Sequence, residues 1–289
     1  MTETIRARAI ALYDAFTHEH HDRRAFMAQM VALAGSAAAA DALIMGIAPT
    51  AAAVQKVDPA DPRLKTARTS GVEAGAPIGS YFAALKDAKD TGGYVLIIHE
   101  NRGLNAHIED IARRIALAGF RAIAPDFLTP QGGTPADSDK ARALIGTLDY
   151  DLALAQAVAM AERLRSDRSR RKVGAVGFCW GGAFVNRFAV AAGERLDAGV
   201  SYYGPAPAPT EASKVSARML VHLAENDARV NATGVPWGEA LKTAGKGEAF
   251  VYPGVEHAFN NDTSAERHDA AAAKLAWDRT IALFQARLT

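Results

Sequence analysis

The chain of 289 residues has one cysteine, which excludes an intramolecular disulfide and any cysteine-rich metal site. It has almost no net charge, +1 from 33 Lys and Arg against 32 Asp and Glu. No basic stripe with interleaved aromatics is present, so the sequence carries no footprint for nucleic acid. It also lacks an uncharged apolar run of about eighteen residues or more, which argues against a permanent membrane span. No internal repeat points to a solenoid. With 49% hydrophobic and 22% charged residues the composition is that of a soluble globular protein with a sizeable core, built as one large domain or two small ones.

Residues 1 to about 64 differ from the remainder. Ile5 to Phe16 has the pattern of an amphipathic helix, and an alanine-rich stretch runs from Ala28 to Ala53. Arg23-Arg24-Ala-Phe26-Met27 before this stretch resembles a twin-arginine export signal, with Ala51-Ala-Ala53 as a small-residue cleavage site. Asp41 interrupts the apolar region, and a helix-like segment precedes the arginine pair. The segment is therefore read two ways: as an export signal, which makes the protein periplasmic, or as retained helices packed on the main domain, which leaves it cytoplasmic. His18, His20 and His21 lack the i, i+4 spacing of helical metal ligands and read as a solvated polar turn. Asp58-Pro-Ala-Asp-Pro62 is a linker, since two prolines cannot continue a helix. The division is thus an N-terminal extension over 1–64 and a catalytic domain over 65–289.

From about Thr66, strand and helix alternate. An antiparallel opening pair is expected over Thr69–Ala74 and Ile78–Leu85, separated by Gly75-Ala-Pro77. Strands follow at Tyr94–His99, Arg121–Pro125, Val173–Phe178, Ala198–Tyr203, Met219–Ala224 and Ala249–Tyr252. Helices are expected at His107–Ala118, Ala141–Leu148, Leu152–Leu164, Ala183–Ala192, Glu239–Ala244 and Ala270–Leu288. Short apolar runs suit strands buried on both faces. The pattern specifies an α/β fold: a mostly parallel, doubly wound sheet flanked by helices, with an N-terminal helical extension. Ligands in such sheets bind beyond the carboxyl ends of the strands.

The chain is organised around Gly177-Phe-Cys179-Trp-Gly181-Gly182. A strand, a sharp turn and a helix, with glycine two residues on either side of the central residue, form the G-x-S-x-G nucleophile elbow with Cys in place of Ser. The flanking positions must be small because strand and helix backbones nearly touch there. Other strand ends carry Glu100-Asn-Arg-Gly103, Glu225-Asn-Asp227 and Pro253-Gly-Val-Glu-His257-Ala-Phe259. Nucleophile, acid and histidine appear in that chain order, with 48 residues from Cys179 to Asp227 and 30 more to His257. This is the order of the α/β-hydrolases.

Together with His99-Glu100, Ala124-Pro-Asp126 and Tyr202-Tyr203-Gly204, these segments resemble the dienelactone hydrolases (carboxymethylenebutenolidases) over roughly Ser70 to Thr289. The resemblance implies an α/β-hydrolase of small esters or lactones with a Cys179–His257–Asp227 triad and an acyl-enzyme intermediate. It implies that Glu100 contacts the resting thiol and releases it when substrate arrives. The oxyanion donors expected are the backbone N–H groups of Asn101 and Trp180. Two departures stand out: the positions at which the family carries carboxylate-binding arginines hold Pro130 and Asn261. Arg102 and Arg229 are the candidates for a substrate carboxylate, and Tyr203 and Phe259 are candidate pocket residues beside Trp180. No cofactor or metal is expected, and the expected partner is a small-molecule ester or lactone, with no nucleic acid. Thioesters, aryl esters or activated phosphoesters remain alternative electrophiles, and a redox-sensing thiol without catalysis is the reading from the opposite class.

Overall fold

The computed structural model describes residues 3–18, 22–48, 55–86, 92–166 and 171–289. Three helices come first, α1 (Glu3–His18), α2 (Arg23–Ala34) and α3 (Ala37–Ile47). The alanine-rich stretch does not run as one helix. Gly35, with φ 82°, ends α2 in the left-handed conformation, and Ser36 accepts the Ala39 N–H to start α3. The two helices consequently meet at 106°, and among the described residues no single helix is long and apolar enough to cross a membrane. Arg23 and Arg24 form the first turn of α2, capped by Asp22. His20, His21 and Ala51–Ala53 lie outside the described residues.

The extension buries its own apolar cluster, including Ile10, Tyr13, Phe16, Phe26, Met30, Leu43 and Ile47. The linker then leads into β1 (Leu64–Glu73) and β2 (Ala76–Leu85). This opening pair is longer than the composition suggests, and its turn is Ala74-Gly75, both at positive φ (51° and 79°), a two-residue hairpin turn that matches strand twist. Pro77 sits inside β2, facing β1 at a position beyond the part of β2 that pairs with its other neighbour, so its missing N–H costs little.

The remaining elements are β3 (Tyr94–Ile98), α4 (Ala106–Leu117), β4 (Arg121–Asp126), α5 (Ser138–Gly146), α6 (Tyr150–Ser166), β5 (Val173–Phe178), α7 (Trp180–Ala192), β6 (Ala198–Tyr202), β7 (Arg218–Ala224), α8 (Ala228–Thr243), β8 (Gly247–Tyr252) and α9 (Ala270–Leu288). The eight strands form one sheet in the order β1-β2-β4-β3-β5-β6-β7-β8. β2 is antiparallel to both neighbours; from β4 to β8 every pair is parallel.

Alternate residues of the central strands feed two cores. Val95, Ile97, Val176 and Val200 pack with Ile108, Ile111, Ile115 and Phe284 on one face. Leu96, Ile98, Ala175, Met219 and Val221 pack with Met160, Phe184, Phe188 and Trp237 on the other. Burial on both faces is why these strands read as unbroken apolar runs.

One helix departs strongly from expectation. α8 starts at Ala228, eleven residues before the expected Glu239, and continues through Pro236. Proline there removes one hydrogen bond, but Val230, Gly234, Trp237, Gly238 and Leu241 lie on one buried face, and that burial offsets the loss.

Candidate active site

Cys179 joins β5 to α7 at φ 55° and ψ −111°, a strained conformation for any residue with a side chain. The approach of strand and helix that produces it leaves no room for a side chain at the flanking glycines. A Cβ on Gly177 would lie 2.0 Å from the Gly181 carbonyl oxygen, and one on Gly181 would lie 2.4 Å from Ile98 O and 2.5 Å from His99 O. Gly181→Ala should therefore cost about 3–5 kcal/mol and lower Tm by about 10 °C. Gly71→Ala on the exposed edge strand, where a Cβ meets nothing within 4 Å, should stay within about 0.5 kcal/mol of the parent in the same thermal melt. Equal effects of the two would show that the close approach at the elbow is not limiting.

Asp227 caps α8: its Oδ1 accepts the Val230 N–H at 3.1 Å. Its other oxygen, Oδ2, lies 2.5 Å from Nδ1 of His257, in the loop after β8. With Nδ1 so engaged, Nε2 is the ring atom left for Cys179, which borders the same small cavity as His257. The cysteine, histidine and aspartate thus meet from the carboxyl ends of β5, β8 and β7. All three are buried: Cys179 is 7% exposed, Asp227 7% and His257 3%.

Burial pushes the His257 imidazole down, but charge on Cys179 and hydrogen bonds to Asp227 and Cys179 outweigh it and hold the ring up at about 10. For Asp227, burial acts upward; the hydrogen bond and charge of His257 prevail and hold the carboxyl below its ordinary range.

Three of the four described non-glycine residues at positive φ, Cys179, Tyr203 and Ala258, are at this site. Strain concentrated where side chains must be aimed is a mark of functional geometry.

Glu100 follows β3 and is 6% exposed; its Oε2 accepts the Asn261 side-chain N–H at 2.9 Å. One of the two departures from the family pattern therefore binds the glutamate. Pro130 is exposed in a short 3-10 turn and lines neither of the cavities at Cys179.

Two cavities meet at Cys179 and Asn101. The larger, about 590 Å³, is lined by Thr17, Asn101, Arg142, Ile145, Trp180, Pro205 and Arg229 among others, and the described residues that line it include no carboxylate. The smaller, about 20 Å³, is bordered by Tyr13, Thr17, Glu100, Arg102, His257, Asn261 and Arg267. The N–H of Trp180, in the first turn of α7, has no intrahelical acceptor, and Cys179 sits at the N-terminal end of that helix. His99 stacks on the Trp180 indole at 5.2 Å and fixes the ring on one side.

Of the expected substrate residues, Arg229 borders the larger cavity and Arg102 the smaller, where it donates to the Tyr13 hydroxyl. Tyr203 and Phe259 do not line either cavity. Both are fully buried, with Tyr203 edge-on to His257 at 5.1 Å and to Phe259 at 5.6 Å. They support the histidine because the left-handed turns at Tyr203 and Ala258 fold these rings inward. Burial foremost, then the charges of Glu100 and Cys179, pushes the Tyr203 phenol well above its ordinary value.

Four residues at the site have no signal in the sequence: Tyr13, Thr17, Arg142 and Arg267. They come from α1, from α5 and from the loop before α9, far from any motif.

A profile of the Dienelactone hydrolase family matches residues 78–288. The chain is 30% identical over 258 residues to the Salmonella typhi protein named "Putative carboxymethylenebutenolidase", covering 83% of this chain and 94% of that protein. It is 32% identical over 228 residues to Protein usf of Aquifex pyrophilus, covering 74% and 96%. A crystal structure titled "Putative Dienelactone Hydrolase", from Klebsiella pneumoniae, matches with a TM-score of 0.68 at 28% identity, covering 77% of this chain and 98% of that one. On the fold, the elbow and these likenesses, the chain belongs to the dienelactone hydrolase family, enzymes of the α/β-hydrolase fold that act on ester bonds.

Proposed function

We propose that the protein hydrolyses small esters or lactones through a Cys179–His257–Asp227 triad and a thioester acyl-enzyme. The observation that carries this reading is the 2.5 Å contact between His257 Nδ1 and Asp227 Oδ2, made beside a cysteine held on a strained elbow. Cys179 Sγ attacks the ester carbonyl as the thiolate, its proton carried on His257 Nε2. Asp227 holds the imidazole in the tautomer that exposes Nε2 and stabilises its charged form. The carbonyl oxygen becomes an oxyanion, for which the N–H groups of Trp180 and Asn101 are the donors. Collapse of the tetrahedral adduct expels the alcohol with the proton from His257. Water then attacks the thioester, giving its proton to His257, and the acid leaves Cys179.

Glu100, set by Asn261 in the same small cavity as Cys179 and His257, offers a carboxylate acceptor to Cys179 whenever its sulfur is protonated. On the substrate side, Arg229 is the better placed of the two arginines singled out in the sequence. It borders the larger cavity and, among the described residues, makes no ion pair. Arg142 borders the same space, so an anionic group on the substrate would find two guanidinium groups there and, among the described residues, no opposing carboxylate.

The test is to trap the intermediate. Wild-type protein mixed with p-nitrophenyl acetate or cis-dienelactone and quenched early should gain one acyl group on the peptide containing Cys179, as read by mass spectrometry, with release of product at steady state. Turnover with no acylated Cys179 peptide would reject covalent catalysis at this residue. Loss of the thiol to oxidation, without turnover of any ester, would favour the redox-sensing alternative.

A further inference from the structure

We propose that α1 is a built-in wall of the active site, and that Thr17 and Tyr13 determine which esters reach Cys179. The inference rests on the nucleophile role proposed for Cys179 and concerns a segment that precedes the matched family region, residues 78–288.

Thr17 borders both cavities that meet at the nucleophile, and Tyr13 borders the smaller. On the His257 and Glu100 side, α1 leaves about 20 Å³, room for roughly one water molecule. On the other side about 590 Å³ remains, toward Arg142, Ile145, Pro205 and Arg229. The helix therefore closes one flank of the cleft and sends the substrate along the other, with Thr17 at the dividing edge.

The wall is fastened by arginines that themselves border the two cavities. Arg267, 5% exposed, donates from Nη1 to Asp14 Oδ1 at 2.8 Å and lies 5.2 Å from the centre of the Tyr13 ring. Arg102 donates to the Tyr13 hydroxyl. The Arg142 guanidinium sits 4.4 Å from the centre of the Phe16 ring, and its Nη1 donates to Phe16 O at 3.3 Å. At the far end of the extension, Ser264 Oγ donates to Ile47 O at 2.6 Å and Glu266 N to Gly46 O at 3.0 Å. A half-buried ion pair and two cation–π contacts, with the backbone contacts at its far end, hold the extension against the site. Removal of residues 1–53 would take Tyr13 and Thr17 out of the site and leave Cys179 in an open cleft.

Two readouts on the full-length chain test this. Thr17→Phe narrows the dividing edge, so kcat/KM for p-nitrophenyl hexanoate should fall about tenfold relative to that for p-nitrophenyl acetate. Asp14→Ala releases Arg267, so the rate at which N-phenylmaleimide labels Cys179 should rise about tenfold over the parent, with a smaller rise for the compact reagent iodoacetamide. If Asp14→Ala lowers Tm, Asp14→Asn, which keeps the side-chain shape, takes its place. An unchanged hexanoate-to-acetate ratio in Thr17→Phe, or unchanged labelling in the Asp14 variant, would overturn the proposal. Failure of the wild-type protein to hydrolyse any ester would strike the proposed function instead, and the labelling result would still decide whether α1 covers the thiol.

Discussion

Cys179→Ala should lower kcat/KM on p-nitrophenyl acetate by about 10⁴-fold or more, to the level set by binding and oxyanion donors alone. The fold should persist. The substitution removes one buried sulfur, and alanine inherits the same strained turn, so stability should change by about 1 kcal/mol or less. Cys179→Ser should be nearly as inactive, because a hydroxyl is a far weaker nucleophile than a thiolate in a site shaped for sulfur. The pH dependence of stability gives a second signature. In the wild-type protein His257 is held up at about 10, above its ordinary 6.5. A raised pKa stabilises the folded state fully below about 6.5, and that contribution is lost as pH rises through about 10. Alanine removes the negative charge that supplies the largest upward push on His257. In Cys179→Ala the alkaline loss of Tm should therefore be smaller and be complete at lower pH. A variant with wild-type esterase rate would exclude Cys179 as the nucleophile, and an unchanged alkaline limb would show that its charge does not reach the imidazole.

Asp227→Asn should reduce kcat by about 10³–10⁴-fold with a much smaller change in KM. Asparagine is as good an N-cap as aspartate, so α8 keeps its Val230 contact and the variant should fold. What it loses is the carboxylate that accepts the His257 Nδ1–H: the amide can donate to Nδ1 instead, which places the ring proton on Nε2, where Cys179 needs an acceptor. Asp227→Ala should be similarly inactive and in addition lose about 1 kcal/mol with the cap. The acid limb of stability should also move. The lowered Asp227 carboxyl contributes stability above its ordinary value, 3.8, which is lost as pH falls through its depressed value in the folded state. In Asp227→Asn this loss is absent, so thermal melts across pH 2–5 should be flatter than those of the parent. A retained rate would transfer the orienting role to another acid, with Glu225, whose Oε2 accepts the Gly254 N–H, as the neighbour to test.

The sequence by itself determined the α/β architecture and the order in which the strand ends present Cys179, Asp227 and His257. Those features are local. Each is a strand with a loop only a few residues beyond it, and the elbow glycines record a close backbone approach within a single turn. The end of a helix is less local. α8 passes through Pro236 because Trp237 and Leu241 find a buried face to fill, and that face exists only once β7 and β8 are in place. The aromatic residues show the same division. Tyr203 and Phe259 are adjacent to the site in sequence, yet tertiary packing turns them inward under His257 and leaves the cavity to other side chains.

The arrangement over Cys179 was decided by tertiary structure alone. Arg142 reaches Phe16 across 126 positions of chain, and Arg267 reaches Asp14 across 253. Contacts at such separation carry no period and no spacing, and an arginine or a threonine on a polar helix face looks the same whether it meets water or the edge of an active site.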